Sequence, residues 1–262
     1  MEELNQSLRQ FWEVENFGAV PPKQLELKPD EVSAMSKVKG SLDYRMGRYQ
    51  VRVPWKGDSG PLLPDNRDMA ISRLQSTEKR LKANPSLGKD YSDTIERYLS
   101  KGYIRKVEKS DRGEGPKWFL PHFPVVRPDK ATTKTRIVFD ASAKYQGISL
   151  NDEIDQGPKM QRDLFDILLR FRKNPVAVVC DIEEMYLQIQ LAPPDRAYHL
   201  FFLWRNLDQT QPPQEYEFNR VVFGVNASPF LAQFVAQQNA EFSSGLRREQ
   251  TCLRFALVVC SC

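Results

Sequence analysis

Long apolar runs are missing from this chain. No stretch of about 18 apolar residues occurs, which excludes a spanning helix and leaves no membrane partner to expect. Histidine is scarce, with His122 and His199 the only two, so little is available for a zinc site or an imidazole base. The cysteines, Cys180, Cys252, Cys260 and Cys262, lack zinc-ligand spacing, and a reduced, intracellular protein (cytoplasmic or nuclear) is expected instead. No glycine-rich phosphate loop follows any strand-like run, which argues against a nucleotide-binding βαβ fold. Internal repeats and low-complexity tracts are absent. The opening MEELNQSLRQFWEVENFG is polar and acidic, unlike a signal peptide. Strong net charge is missing too, at +4 overall, but its distribution is uneven. Between Lys101 and Arg136 stand ten Lys or Arg against four Asp or Glu, a block that suits phosphate or a solvated basic loop.

What is present is the length and apolar content of an ordinary globular protein: 262 residues, of which 40% are hydrophobic. RYQVRVPW (48–55) alternates and predicts a strand. Ala70, Leu74 and Leu81 predict a helix that stops at NPSLG, and a second helix is expected over 91–101 with Gly102 as its C-cap. The runs 123–127 and 136–139 predict a hairpin around a basic turn. A helix over 161–173 should bury Leu164, Ile167, Leu168 and Phe171, and VAVVC (176–180) should be a core strand. YHLFFLW (198–204) and EYEFNRVVF (215–223) read as antiparallel strands. A last helix, 227–242, has Ser228 placed to cap it and Pro229 in its first turn. The order predicts an α+β fold with a mainly antiparallel sheet.

Asp181 poses the sharpest chemical question. It follows a strand-like apolar run and precedes IEEMY, so its charge falls at the rim of a core, where it needs a partner. Three roles fit the local residues: a cap on the next helical turn, an ion pair with Lys or Arg, or a ligand to a divalent cation.

Several motifs occur in a fixed order: RIVFDASA (136–143) with SLND (149–152), VVCDIEEMYLQI (178–189), and FGVNASPFL (223–231). Upstream stand FWEVENFG (11–18), GRYQVRVPW (47–55), ISRLQSTEKRL (71–81) and FLPHFPVV (119–126). Over roughly residues 8–242 this series resembles the reverse transcriptases of retroviruses and LTR retrotransposons, most closely the BEL/Pao type. The resemblance implies right-hand polymerase fingers and a partial palm, with an upstream protease-to-polymerase region at 1–90, fingers at 91–160, palm at 161–242 and an atypical tail at 243–262. It implies that Asp181 and the backbone carbonyl of Ile182 hold two Mg²⁺ ions. Two such ions, roughly 3.5–4 Å apart, would activate a primer hydroxyl and steady the leaving pyrophosphate. It implies that Tyr186 is a gate against a 2′-hydroxyl and that Arg136, with Lys130 or Lys134, holds the dNTP phosphates. Phe223 and Gly224 then flank the nucleotide pocket, while Ser228 and Pro229 start a helix beneath the template strand. The implied partners are an RNA or DNA template-primer and dNTP.

One part of that pattern is missing. The family carries a second catalytic aspartate in a Tyr-x-Asp-Asp hairpin after the Ser-Pro helix. Here no Asp follows Asp208, and the later acids are Glu215, Glu217, Glu241 and Glu249. The expectation is therefore a polymerase domain by resemblance that is truncated and inactive as an isolated chain. The alternatives are a non-catalytic nucleic-acid-binding fragment, a retroelement relic, and last a hydrolase using Asp181 with Glu183 or Glu184.

Overall fold

The computed structural model describes residues 27–57, 60, 61, 63–108, 117–127, 135–161, 164–172, 179, 181–199 and 201–246. Helix α1 (Pro29–Ser41) leads into a hairpin of β1 (Asp43–Arg45) and β2 (Arg48–Val51). Register Arg45↔Arg48 leaves a two-residue turn, Met46 at φ 49 and Gly47 at φ 77. Both positive values match the primed turn that suits a twisted hairpin, although methionine tolerates that region poorly.

Helices α2 (Arg67–Ala83) and α3 (Pro85–Ser100) share a single residue as their junction. The NPSLG stretch is a break between two helices rather than a loop. Asn84 ends α2 with its N–H on the Leu81 carbonyl and starts α3 by accepting from the Leu87 N–H, and Pro85 takes the first turn, where its missing N–H costs nothing. At the other end of α3 Gly102, at φ 65, completes the expected C-cap. The Gly102 N–H donates to Leu99 and the Tyr103 N–H to Tyr98, which is the paired-bond form of this cap.

Strand β3 (Ile104–Lys106) follows, then the hairpin β4 (His122–Val126) and β5 (Thr135–Phe139) in the predicted place. A 3₁₀ turn spans Leu150–Glu153, and α4 spans Leu164–Phe171. A second 3₁₀ turn (Met185–Gln188), β6 (Gln190–Leu191) and α5 (Pro193–His199) come next, ahead of β7 (Phe201–Trp204), β8 (Gln214–Phe218) and α6 (Ser228–Leu246). Among the described residues three small sheets result: β1-β2-β6, β3-β8-β7 and β4-β5. All pairs are antiparallel except β2 with β6. The fold is thus α+β with mainly antiparallel pairing, as the element order predicted.

The core joins these sheets. Trp118, Phe119, Phe139, Phe202, Trp204 and Phe218 are buried together with Tyr91 and Ile95 of α3. Burying aromatic side chains of this size is the largest stabilising contribution such a domain has. His122 sits inside this cluster, its Nε2 donating to the Leu203 carbonyl at 2.8 Å and its Nδ1 accepting from the Tyr91 hydroxyl. Burial lowers its pKa to about 4, so it is a neutral core residue. Glu78, fully buried, is clamped in a fork by Arg205 at 2.7 Å on both oxygens.

Three expectations change. The YHLFFLW strand loses its first residues to α5, because Pro193 and Pro194 with Asp195 make a helix start. On α4, Leu164 and Leu168 are 66% and 45% exposed rather than buried. Ser228 is the first residue of α6, not its cap; its hydroxyl donates to the Val222 carbonyl at 2.6 Å. The expected strand 176–180 lies outside the described residues except for Val179, which is exposed. No helix among the described residues is long and apolar enough to cross a membrane.

Candidate functional site

Strand β5 ends at Phe139, and Asp140 turns the chain: its N–H donates to the Pro121 carbonyl and its carboxylate accepts from the Ser142 N–H at 3.1 Å. Asp140 is therefore a turn-forming residue. The chain then reaches Ser149, whose hydroxyl and N–H exchange hydrogen bonds with Asp152 to cap the first 3₁₀ turn. Those bonds from Ser149, side chain first, hold the Asp152 carboxyl below its usual range.

Asn151 is the joint between this segment and the loop after β8. Its Nδ2 donates to Ser142 Oγ at 2.9 Å and to the Gly224 carbonyl at 3.2 Å, and its Oδ1 accepts from the Asn226 N–H at 3.0 Å. Asn226 returns two bonds through Nδ2, to the carbonyls of Asn151 and Ile154. Gly224 packs directly on the end of β5. It adopts φ 104, and a Cβ there would stand 1.7 Å from the Phe139 carbonyl oxygen, so only glycine fits. The residue before it, Phe223, sets its ring 4.4 Å from that of Tyr186, at 49°. Motifs centred near residues 140, 186 and 225 thus meet in one place.

Tyr186 sits on the second 3₁₀ turn, half-buried, and burial raises its pKa. The turn is fixed from its start by Glu184, which adopts the left-handed conformation, φ 51. Such a backbone at a glutamate is unfavourable and needs surrounding contacts to hold it. Its carboxylate supplies them, accepting from Lys101 Nζ at 2.7 Å and from the Tyr103 hydroxyl at 2.9 Å, with Arg97 at 3.9 Å. Burial pushes the Glu184 pKa up, but the hydrogen bonds from Lys101 and Tyr103 and the nearby positive charges outweigh it and lower it. The helical face expected for Glu183 and Glu184 therefore splits: Glu183 is exposed with a looser contact to Lys101 at 3.5 Å, and Glu184 is tied down.

Asp181 is different again. It is exposed, and its carboxylate forms no hydrogen bond or ion pair with any described residue, which removes the cap and ion-pair roles within that set. A two-metal centre needs more than one bridging carboxylate. Among the described residues no group of three His, Cys, Asp or Glu could hold a metal, and the nearest acids in sequence are the exposed Glu183 and the committed Glu184. The donor set present, Asp181 and the Ile182 carbonyl, does not fit two Mg²⁺ ions.

Arg136 lies on β5 opposite Val125, half-buried and without a hydrogen bond or ion pair to any described residue. Lys130 and Lys134 lie outside the described residues. Pro229 is exposed at the start of α6. The residues that sequence reasoning missed are the ones that hold the others: Asn151, Asn226, Lys101 and Tyr103. Their signal was weak, since single asparagines and tyrosines acquire such roles only through partners some 70–80 residues away.

No protein-family model matches the chain, and no curated protein matches it in sequence.

Proposed function

We propose that this chain is the fingers and part of the palm of an RNA-directed DNA polymerase of the BEL/Pao retrotransposon type, binding a nucleic-acid template-primer and dNTP. The observation that supports it most is the meeting of Tyr186, Phe223 and Gly224 against the end of the β4–β5 hairpin, because the resemblance assigns all three to one nucleotide pocket. A half-buried tyrosine packed on a second ring is a wall for a sugar, and a hydroxyl pointing at that wall is rejected by lack of space. Arg136, uncommitted within the described residues, is available to stack on a base and donate to a phosphate in a planar fork. Among the described residues no second carboxylate joins Asp181 to hold a metal, and binding without catalysis is the expected behaviour.

Primer extension on an RNA template with Mg²⁺ or Mn²⁺ tests this directly. The expected result is no incorporation. Incorporation that disappears in Asp181→Asn would overturn the prediction of inactivity while supporting the family reading. The uncommitted Arg136 also supports a second form of the same reading, a nucleic-acid-binding fragment. Its mark is an affinity that falls steeply with salt and does not change in Asp181→Asn.

A further inference from the structure

On the side of the acid loop formed by Ile182 and Met185, a cleft of about 240 Å³ opens between the β1–β2 hairpin and α6. Tyr44, Arg48 and Tyr49 line one wall, and Asn239 closes the other. The volume is below that of pockets for drug-sized ligands and suits a single ring system. Two features of the hairpin bear on what enters. Tyr44 and Tyr49 are cross-strand partners with rings 4.9 Å apart in an edge-to-face pair, and Tyr44 remains 59% exposed. This is an aromatic surface that the fold does not cover.

Behind it the charge is one-sided. Arg48 donates to Gln188 Oε1 at 2.6 Å, and Gln190, two residues on, bridges to Arg220. Arg220 is 7% exposed; its Nη1 donates to the Asn219 carbonyl at 3.3 Å, and its buried Nε has no partner. Burial first, and then the positive charges of Arg48 and Arg196, lower its pKa to about 10. None of Arg48, Arg196 and Arg220 has a carboxylate of a described residue within ion-pair distance. Of the acids nearby, Glu184 is held by Lys101 and Glu217 by Arg105, while Asp181 and Glu183 stand exposed on the loop beside Ile182. Of the three arginines, Arg48 alone lines the cleft, and a guanidinium without a counter-charge lowers its energy when an anion arrives.

We propose that this cleft takes single-stranded nucleic acid, one base stacking on Tyr44 and the adjoining phosphate facing Arg48. The ligand class rests on the polymerase reading, whereas the cleft joins the upstream β1–β2 hairpin to Ile182, Met185 and α6 and is not lined by Tyr186 or Phe223. A nucleobase has the ring face that the tyrosine wall accepts, and Asn239, whose Oδ1 accepts from the Tyr49 hydroxyl at 3.5 Å, leaves its Nδ2 at the cleft edge. The stack requires no particular base, so the site is indifferent to sequence.

The test is anisotropy of a fluorescein-labelled 12-residue oligothymidylate, titrated with the full chain between 50 and 200 mM salt. Tyr44→Ala should weaken binding about 10-fold at every salt concentration, and Tyr44→Phe should retain it. Arg48→Gln should weaken binding and flatten the slope of log affinity against log salt by about 0.7, the contribution of one single-strand phosphate. Parental affinity in both Tyr44→Ala and Arg48→Gln overturns the inference. If Arg136→Ala alone weakens binding, the polymerase reading stands and this site falls; if the parent does not bind at 50 mM salt, both fall. Should Arg48→Gln fail to melt cooperatively, Tyr44→Ala, altered at an exposed position, decides the matter.

Discussion

Asp195 and Asp181 lie fourteen positions apart on either side of the second 3₁₀ turn, and the protein treats them in opposite ways. Asp195 is 1% exposed and accepts four hydrogen bonds: two from Arg52 at 3.1 and 3.3 Å, one from the Val53 N–H and one from Trp55 Nε1. Asp181 is exposed and accepts none from a described residue. The first staples the segment before α2 to the first turn of α5, and the charge-assisted bonds that Arg52 donates to Asp195 raise the Arg52 pKa. The comparison separates two uses of a carboxylate. One is saturated by its own chain and holds the fold; the other is exposed, with its lone pairs open to solvent.

Breaking the saturated site should have the largest effect. Asp195→Ala leaves Arg52 and two N–H groups without their acceptor, and should cost about 3 kcal/mol, near the low end for a broken buried pair because Arg52 is half-exposed. By calorimetry the melting temperature should fall by roughly 6–12 °C for a chain of this size. Between the two extremes stands Glu184. Its folded pKa is lowered, so its contribution is fully present above the ordinary glutamate value of 4.5 and is lost as pH falls through the lower folded value. Glu184→Gln should cost about 1 kcal/mol at neutral pH and remove that part of the acid loss, measured as denaturation midpoints between pH 3 and 6. Asp181→Asn should have the smallest effect, a stability change within about 0.5 kcal/mol, because it removes no contact. A large loss there would mean that Asp181 is structural, and the contrast with Asp195 would collapse.

The helices and the β4–β5 hairpin were legible because their apolar spacing and turn residues act over a few positions. Leu74 and Leu81, Gly102 after α3, and the paired runs around 123 and 137 each carry their own signal. Asp195 was not legible. Its partners Arg52, Val53 and Trp55 lie about 140 positions away, and RYQVRVPW reads as one strand through residues that leave the ladder to meet that carboxylate. The IEEMY turn tightened to 3₁₀ for a similar reason, since Glu184 is bound to Lys101 and Tyr103. Within the candidate site, Tyr186, Phe223 and Gly224 could be named from motif order. The asparagines that join them could not, because an amide has no sequence pattern of its own until its partners arrive.

Gly224 has a mechanical consequence. With Gly224 packed against the last carbonyl of β5 and its own carbonyl held by Asn151, the backbone that carries Phe223 is tied to the hairpin. The strand that carries Arg136 and the ring that backs Tyr186 form one lever with its fulcrum at a missing methyl group. Filling that gap with a side chain would part the β5 end from the loop that carries Phe223.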